Sequence, residues 1–153
     1  MNLQQSALLK NLTIIKPNFH AFTARFHDKL AESCIEMSYP TALQFNEKSF
    51  TLFCVLERIV KHLDKPASVA PFLAHHLMYL KKSGASHSDI ALLSNAFYET
   101  LEEHLGKHFT TESQLAWKKA LRYFESFASN VLFNVTNVVS LQQRMQQMQS
   151  NKI

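Results

Sequence analysis

An all-helical protein is the fold class this sequence predicts, and three observations predict it. The chain of 153 residues contains only 2 Gly and 4 Pro, so few places force a helix to stop. Leu, Ala, Glu, Lys and Gln, which lose little freedom in a helix, are plentiful. Apolar residues recur at spacings of three and four over most of the length. A sheet protein of this size would need more turn glycine. With 46% apolar residues, 12 of them Phe, the chain suits one domain with one sizeable core.

The elements follow in order. A first helix is expected from about Leu3 to Ile15, with Leu8, Leu12 and Ile15 on its apolar side. Pro17 ends it or starts the next. A second helix covers about Asn18 to Met37, with the stripe Phe19, Phe22, Phe26, Leu30 and Cys34. Tyr39-Pro40 marks a connector, after which Asn46 is expected to cap a helix running to about Leu63. Its apolar side is Phe50, Phe53, Ile59, Val60 and Leu63. DKPAS is a corner, and a further helix runs from about Val69 to Lys82, stopping at Ser83-Gly84. Ser88 is expected to cap the following helix and Gly106 to close it. Thr110 or Thr111 caps the last, with Glu112 in its first turn; this helix extends past residue 140. Six or seven helices with short corners suit an orthogonal stack around a pocket better than a simple four-helix bundle. The tail SLQQRMQQMQSNKI is polar, with Leu141, Met145 and Met148 spaced so that they could meet a partner chain as a homodimer.

Composition and motifs exclude much. A net charge of +4 with scattered Lys and Arg gives no basic stripe for nucleic acid. There is no phosphate loop, His-Glu-x-x-His pair, nucleophile elbow or zinc spacing, and Glu102-Glu103 reads as a solvated pair. Cys34 and Cys54 are expected as buried free thiols. No run is long and apolar enough for a membrane span, and no leader is read at the N-terminus, so a cytoplasmic location is expected.

What remains is histidine in apolar surroundings. In FLAHHLMYLKKSG, Val69, Phe72, Leu73, His76 and Leu80 share a face, and His75 points about 100° away. His76 is therefore the inward imidazole, to be satisfied by a backbone carbonyl or put to use as a ligand. His27 sits near the stripe of the second helix. Two inward imidazoles from separate helices can bracket a flat apolar cofactor that holds a metal. His20, His62, His87, His104 and His108 read as solvated, and Trp117 as core.

LLKNLTIIKPNFHAFTARFHDKL resembles the start of bacterial globins, the single-domain haemoglobins and the haem domain of flavohaemoglobins. LAHHLMY resembles their proximal segment, and NAFYETLEEHLGKHFTTESQLAWKKAL resembles their last two helices. The resemblance covers roughly residues 5 to 133. It implies a globin-like stack of six to eight helices around a haem pocket, with a domain at 1–140 and a polar tail at 141–153. It implies haem b held by His76, with a diatomic gas, oxygen or nitric oxide, as the ligand. His27 then stands where those globins usually carry a distal tyrosine, and could donate to the gas or bind the iron itself. The next distal position falls on Lys48 or Glu47, Leu52 packs over the haem, Phe45 or Tyr39 wedges it, and Phe26 and Phe97 are further contacts.

Two departures carry expectations of their own. Ile90 and either Leu132 or Asn134 stand where a tyrosine and a glutamate commonly tune the proximal histidine. Without a carboxylate partner His76 gives the iron less electron push, which disfavours peroxidase-type chemistry. No reductase domain is read in the sequence, so nitric oxide dioxygenase-type turnover would draw on an external electron donor. A connector several residues shorter than those globins usually have, His27, and a charged Lys48 or Glu47 over the haem face motivate an alternative. That alternative is a globin-fold sensor or interaction module, haem-free or holding six-coordinate haem.

Overall fold

The computed structural model describes residues 2–150, with side chains from 2 to 133. Among the described residues there are seven α-helices and no strand. The expectation for residues 141–153 as a separate tail falls outside the described side chains.

Helix α1 (Leu3–Ile15) is capped by Asn2, whose side chain accepts from Gln5 N at 2.7 Å. It buries Leu8, Leu12 and Ile15. Gln5, on the same side, donates from Nε2 to the carbonyls of Val60 and Lys61, at 2.8 Å each. It thereby satisfies carbonyls at the open end of α4, the end that lacks helical partners.

Helix α2 (Phe19–Glu32) follows a 3-10 turn at Lys16–Asn18, where Pro17 costs no hydrogen bond. It ends five residues earlier than expected. Asp89 is the reason: its carboxylate accepts from the amides of Glu36 (3.0 Å) and Met37 (3.2 Å), which holds this part of the chain out of the helix. Cys34 therefore leaves the stripe and is exposed, and Cys54 lies exposed on α4, so the expectation of buried thiols is corrected.

The connector holds a short helix, α3 (Ala42–Glu47), capped by a Thr41/Gln44 capping box. Helix α4 (Ser49–Lys61) follows, and the Asn46 side chain does not cap it. Asn46 instead offers its carbonyl to Ser49 Oγ. Phe50, placed on the apolar side from the sequence, is 74% exposed.

Helix α5 (Pro66–Lys82) opens with Pro66 at its first position. Helix α6 (His87–Leu105) is capped by Ser86, not Ser88, because Asp89 three residues on completes a capping box. Gly106 ends α6 with φ 50° and ψ −121°, a backbone conformation that needs glycine. Helix α7 (Thr111–Ser150) is capped at its start by Thr110 Oγ1, which accepts from Ser113 N at 3.1 Å.

The main core is built from α1, α2, α4, α6 and α7 around Leu12, Phe22, Phe53, Leu101 and Trp117. Trp117, 2% exposed, donates from Nε1 to Asn11 Oδ1 at 3.0 Å, tying α7 to α1 inside the core. A second cluster, Leu73, Leu77, Ile90, Ala128 and Leu132, seats α5 on α6 and α7. The backbones of α4 and α5 stay apart, and side chains such as Arg58 and Phe72 meet across the slot between them.

Candidate functional site

That slot leads to an apolar cavity of about 290 Å³. Helix α4 contributes Leu52, Val55 and Ile59 to its wall, and α5 contributes Leu73 and Leu80. Phe26 of α2, Leu93, Ser94 and Phe97 of α6, and Tyr123 and Phe124 of α7 close it. No charged side chain lines it. Each helix reaches the cavity through its three-and-four stripe, which is why the wall is almost wholly hydrocarbon.

The candidate residues divide in two. Phe26, Leu52 and Phe97 meet at the cavity. His27, Phe45, Lys48 and His76 do not line it. Phe45 is buried, edge-on to Phe26 at 5.9 Å and to His27 at 5.8 Å. His27 is half-buried and also meets the edge of Tyr39 at 5.6 Å. It sits in an aromatic corner under the 33–40 segment, one residue round the helix from Phe26. Lys48 is exposed at the α3–α4 junction, as is Glu47.

His76 is the main correction. It is exposed, as is His75. The buried face of α5 is Val69, Leu73 and Leu77, with Leu80 beside them. At about 100° per residue His76 stands about 60° from the middle of that face. Its ring packs edge-on against Phe72 at 4.6 Å, and the Arg58 guanidinium of α4 covers Phe72 at 4.1 Å. Its pKa is lowered, chiefly by lost hydration, then by the neighbouring charges of His75 and Arg58. Turning His76 to the cavity takes a rotation of α5 by about 60°, which swings Leu77 outward at a cost of about 2–3 kcal/mol. Four leucine and valine positions outweigh one imidazole.

Other histidines also depart from expectation. His104 is half-buried against Phe22 at 5.4 Å, and burial pushes its pKa down. His87 is exposed but stacks on Phe133 at 3.9 Å. Glu103 is no idle surface acid: Arg25 (2.7 Å) and Lys29 (2.9 Å) hold its carboxyl at a pKa of about 2. Sequence reasoning missed Ser94, whose hydroxyl is buried at the cavity without a hydrogen-bond partner. A lone serine in ALLSNAF, on the side of Ile90 and Phe97, was the signal available.

A haem can be tested against this wall. Haem iron takes an axial imidazole, thiolate, thioether or phenolate. Of these donor types the lining, among the described residues, holds only the phenol of Tyr123. Elsewhere, too, no group of three or more His, Cys, Asp or Glu among the described residues could hold a metal ion. A cavity of about 150 Å³ accepts one benzene, so one of about 290 Å³ accepts about two, and a porphyrin is several times the bulk of benzene. As arranged, these residues do not fit a haem.

No helix among the described residues is long and apolar enough to cross a membrane. Compared with known proteins, the chain matches the globin family model over residues 42–128, from α3 into α7. No curated protein matches it. The match spans more than half of the chain, and the helices before it, α1 and α2, pack onto the same core. Globins in general bind haem, and the slot between α4 and α5 lies within the matched span. The all-helical order, the slot and the match together make this chain a member of the globin family.

Proposed function

We propose that this globin is a haem-free binding module, a sensor or interaction domain whose slot is kept for something other than an iron porphyrin. One observation carries the reading: α5 turns Leu73 and Leu80, and not His76, toward the cavity. The described wall as arranged offers no imidazole, the donor from which oxygen carriage or nitric oxide dioxygenation in a globin would start. The reading needs no electron donor.

A titration of the full chain with haemin tests it. The expected outcome is a spectrum that stays that of free haemin, with no sharpened Soret band near about 410 nm and no change on adding carbon monoxide after reduction. A stoichiometric Soret band that disappears in His76→Ala would refute it.

A second reading rests on a specific observation, the place of His76 at the α4–α5 edge beside Phe72 and Arg58. In it, a rotated α5 would let His76 hold the iron of haem b, and the bound haem would supply the binding chemistry for a diatomic gas. Leu77 would then become accessible, which hydrogen exchange of α5 with and without haemin would detect. His27 as a second axial ligand would give a low-spin ferric spectrum that His27→Leu converts to high-spin.

A further inference from the structure

The cavity wall carries one anomaly, the Ser94 hydroxyl. Ser94 is 5% exposed and its Oγ has no hydrogen-bond partner. Helix hydroxyls usually settle on the carbonyl four residues back. Thr100, two turns along the same helix, does so on Ala96 at 2.6 Å. Ser94 does not; it borders this cavity and also a polar surface pocket beside Asn95, Lys118, Arg122 and Glu125, from neither of which its Oγ takes a partner. Leaving a buried hydroxyl unpaired costs about 1–3 kcal/mol, so the group calls for a partner. Within the apolar cavity, water is a poor one. A held water needs about two to four polar contacts, and apart from Ser94 the side chains of this wall offer only the Tyr123 phenol and the Trp117 N–H. That N–H is already given to Asn11. The partner that fits is a ligand group.

The wall also sets the rest of the ligand. No charged side chain among the described residues lines it, so a charged ligand would be buried without a counter-ion from them. The volume, about 290 Å³, is close to twice that of a cavity holding one benzene. We propose that this cavity is the binding site of a neutral, apolar small molecule of about a dozen heavy atoms, with one hydroxyl, carbonyl or N–H bonded to Ser94 Oγ. The inference rests on the haem-free reading of the slot and adds the class of ligand. Leu80 and Leu93 supply hydrocarbon contact, and Ser94 supplies orientation. Entry is through the slot between α4 and α5, across which the Arg58 guanidinium lies on Phe72.

The probes are 1-naphthol and naphthalene, nearly equal in bulk and differing by one hydroxyl. Calorimetric titration of the full chain should show both binding one to one, with 1-naphthol about 3- to 10-fold tighter, the value of one hydrogen bond. Ser94→Ala should bind naphthalene at least as well as the parent and lose the preference. Leu80→Phe, which fills the cavity, should bind neither; Leu93→Phe serves if that variant does not fold, as judged by circular dichroism. No heat and no thermal shift with either probe up to its solubility limit would overturn the proposal. A preference that survives in Ser94→Ala would overturn the role of the hydroxyl, and undiminished binding by both filled variants would overturn the location. Haemin in a parallel titration separates the two levels: silence from both haemin and naphthol removes the ligand assignment alone, whereas haemin that displaces naphthol with a ligated spectrum removes the haem-free reading as well.

Discussion

Replacing Asp89 by Asn tests how the 33–40 segment is held. Asp89 is 1% exposed and accepts from three backbone amides, of Glu36 (3.0 Å), Met37 (3.2 Å) and Ser86 (3.1 Å). These bonds draw its pKa below the ordinary value against the opposing pull of burial, which is the larger single influence. An amide in its place has one acceptor oxygen, and its NH₂ faces a donor. The Met37 amide is buried, so its charge-assisted bond is worth about 1.5–3 kcal/mol. The amides of Glu36 and Ser86 are only partly buried, so water can replace a lost bond and each contributes about 0.5–1 kcal/mol. The expected loss is about 3 kcal/mol at pH 7, read as a lower urea midpoint by circular dichroism at unchanged slope. The pH dependence has a definite sign. A carboxylate with a lowered folded pKa adds stability that is complete above its unfolded pKa of about 3.9 and is lost as pH falls through the folded value. The difference between parent and Asp89→Asn should therefore shrink below about pH 4. A variant within about 1 kcal/mol of the parent at pH 7, or a difference that grows in acid, would refute this account of the loop.

Two further perturbations probe the frame around the cavity. Trp117→Phe removes one of the two fused rings from the core and leaves Asn11 Oδ1, in a residue 2% exposed, without its donor; a loss of about 2–4 kcal/mol is expected by denaturant titration. Gly106→Ala meets no atom within 4 Å of the new Cβ, so any cost comes from the φ of 50° alone; about 1–3 kcal/mol, or a Tm lower by several degrees, is expected in scanning calorimetry.

The helices were legible because their signals are local. Leu3–Ile15 was marked by its apolar spacing, and the stops at Gly106 and Ser83-Gly84 by residue chemistry. The end of α2 was not, because it is set by Asp89, more than fifty residues away. The Ser86-x-x-Asp89 capping box was readable and was passed over for Ser88. For the site, Phe26, Leu52 and Phe97 were placed on the cavity from spacing and resemblance. His76 was not, because spacing allows two faces for α5 that differ by about 60°. Val69, Phe72 and His76 define one; Val69, Leu73, Leu77 and Leu80 define the other. A count of apolar burial chooses the second; the spacing that grouped Val69, Phe72, Leu73, His76 and Leu80 left out Leu77 and so favoured the first, which the resemblance to a histidine-bearing segment then reinforced. Ser94 could not be singled out, since an unpaired hydroxyl is a property of surroundings and not of spacing.

The two walls of the slot are anchored unequally. Gln5 rivets the far end of α4 to α1, while α5 leans mainly on α7 and carries Pro71 inside it, which removes an internal rung. One jaw of this clamp is thus stiff and the other compliant. Whatever wedges the jaws apart will be felt as a tilt of the compliant one along the seam it shares with the longest helix of the fold, so the molecule has a built-in direction of give.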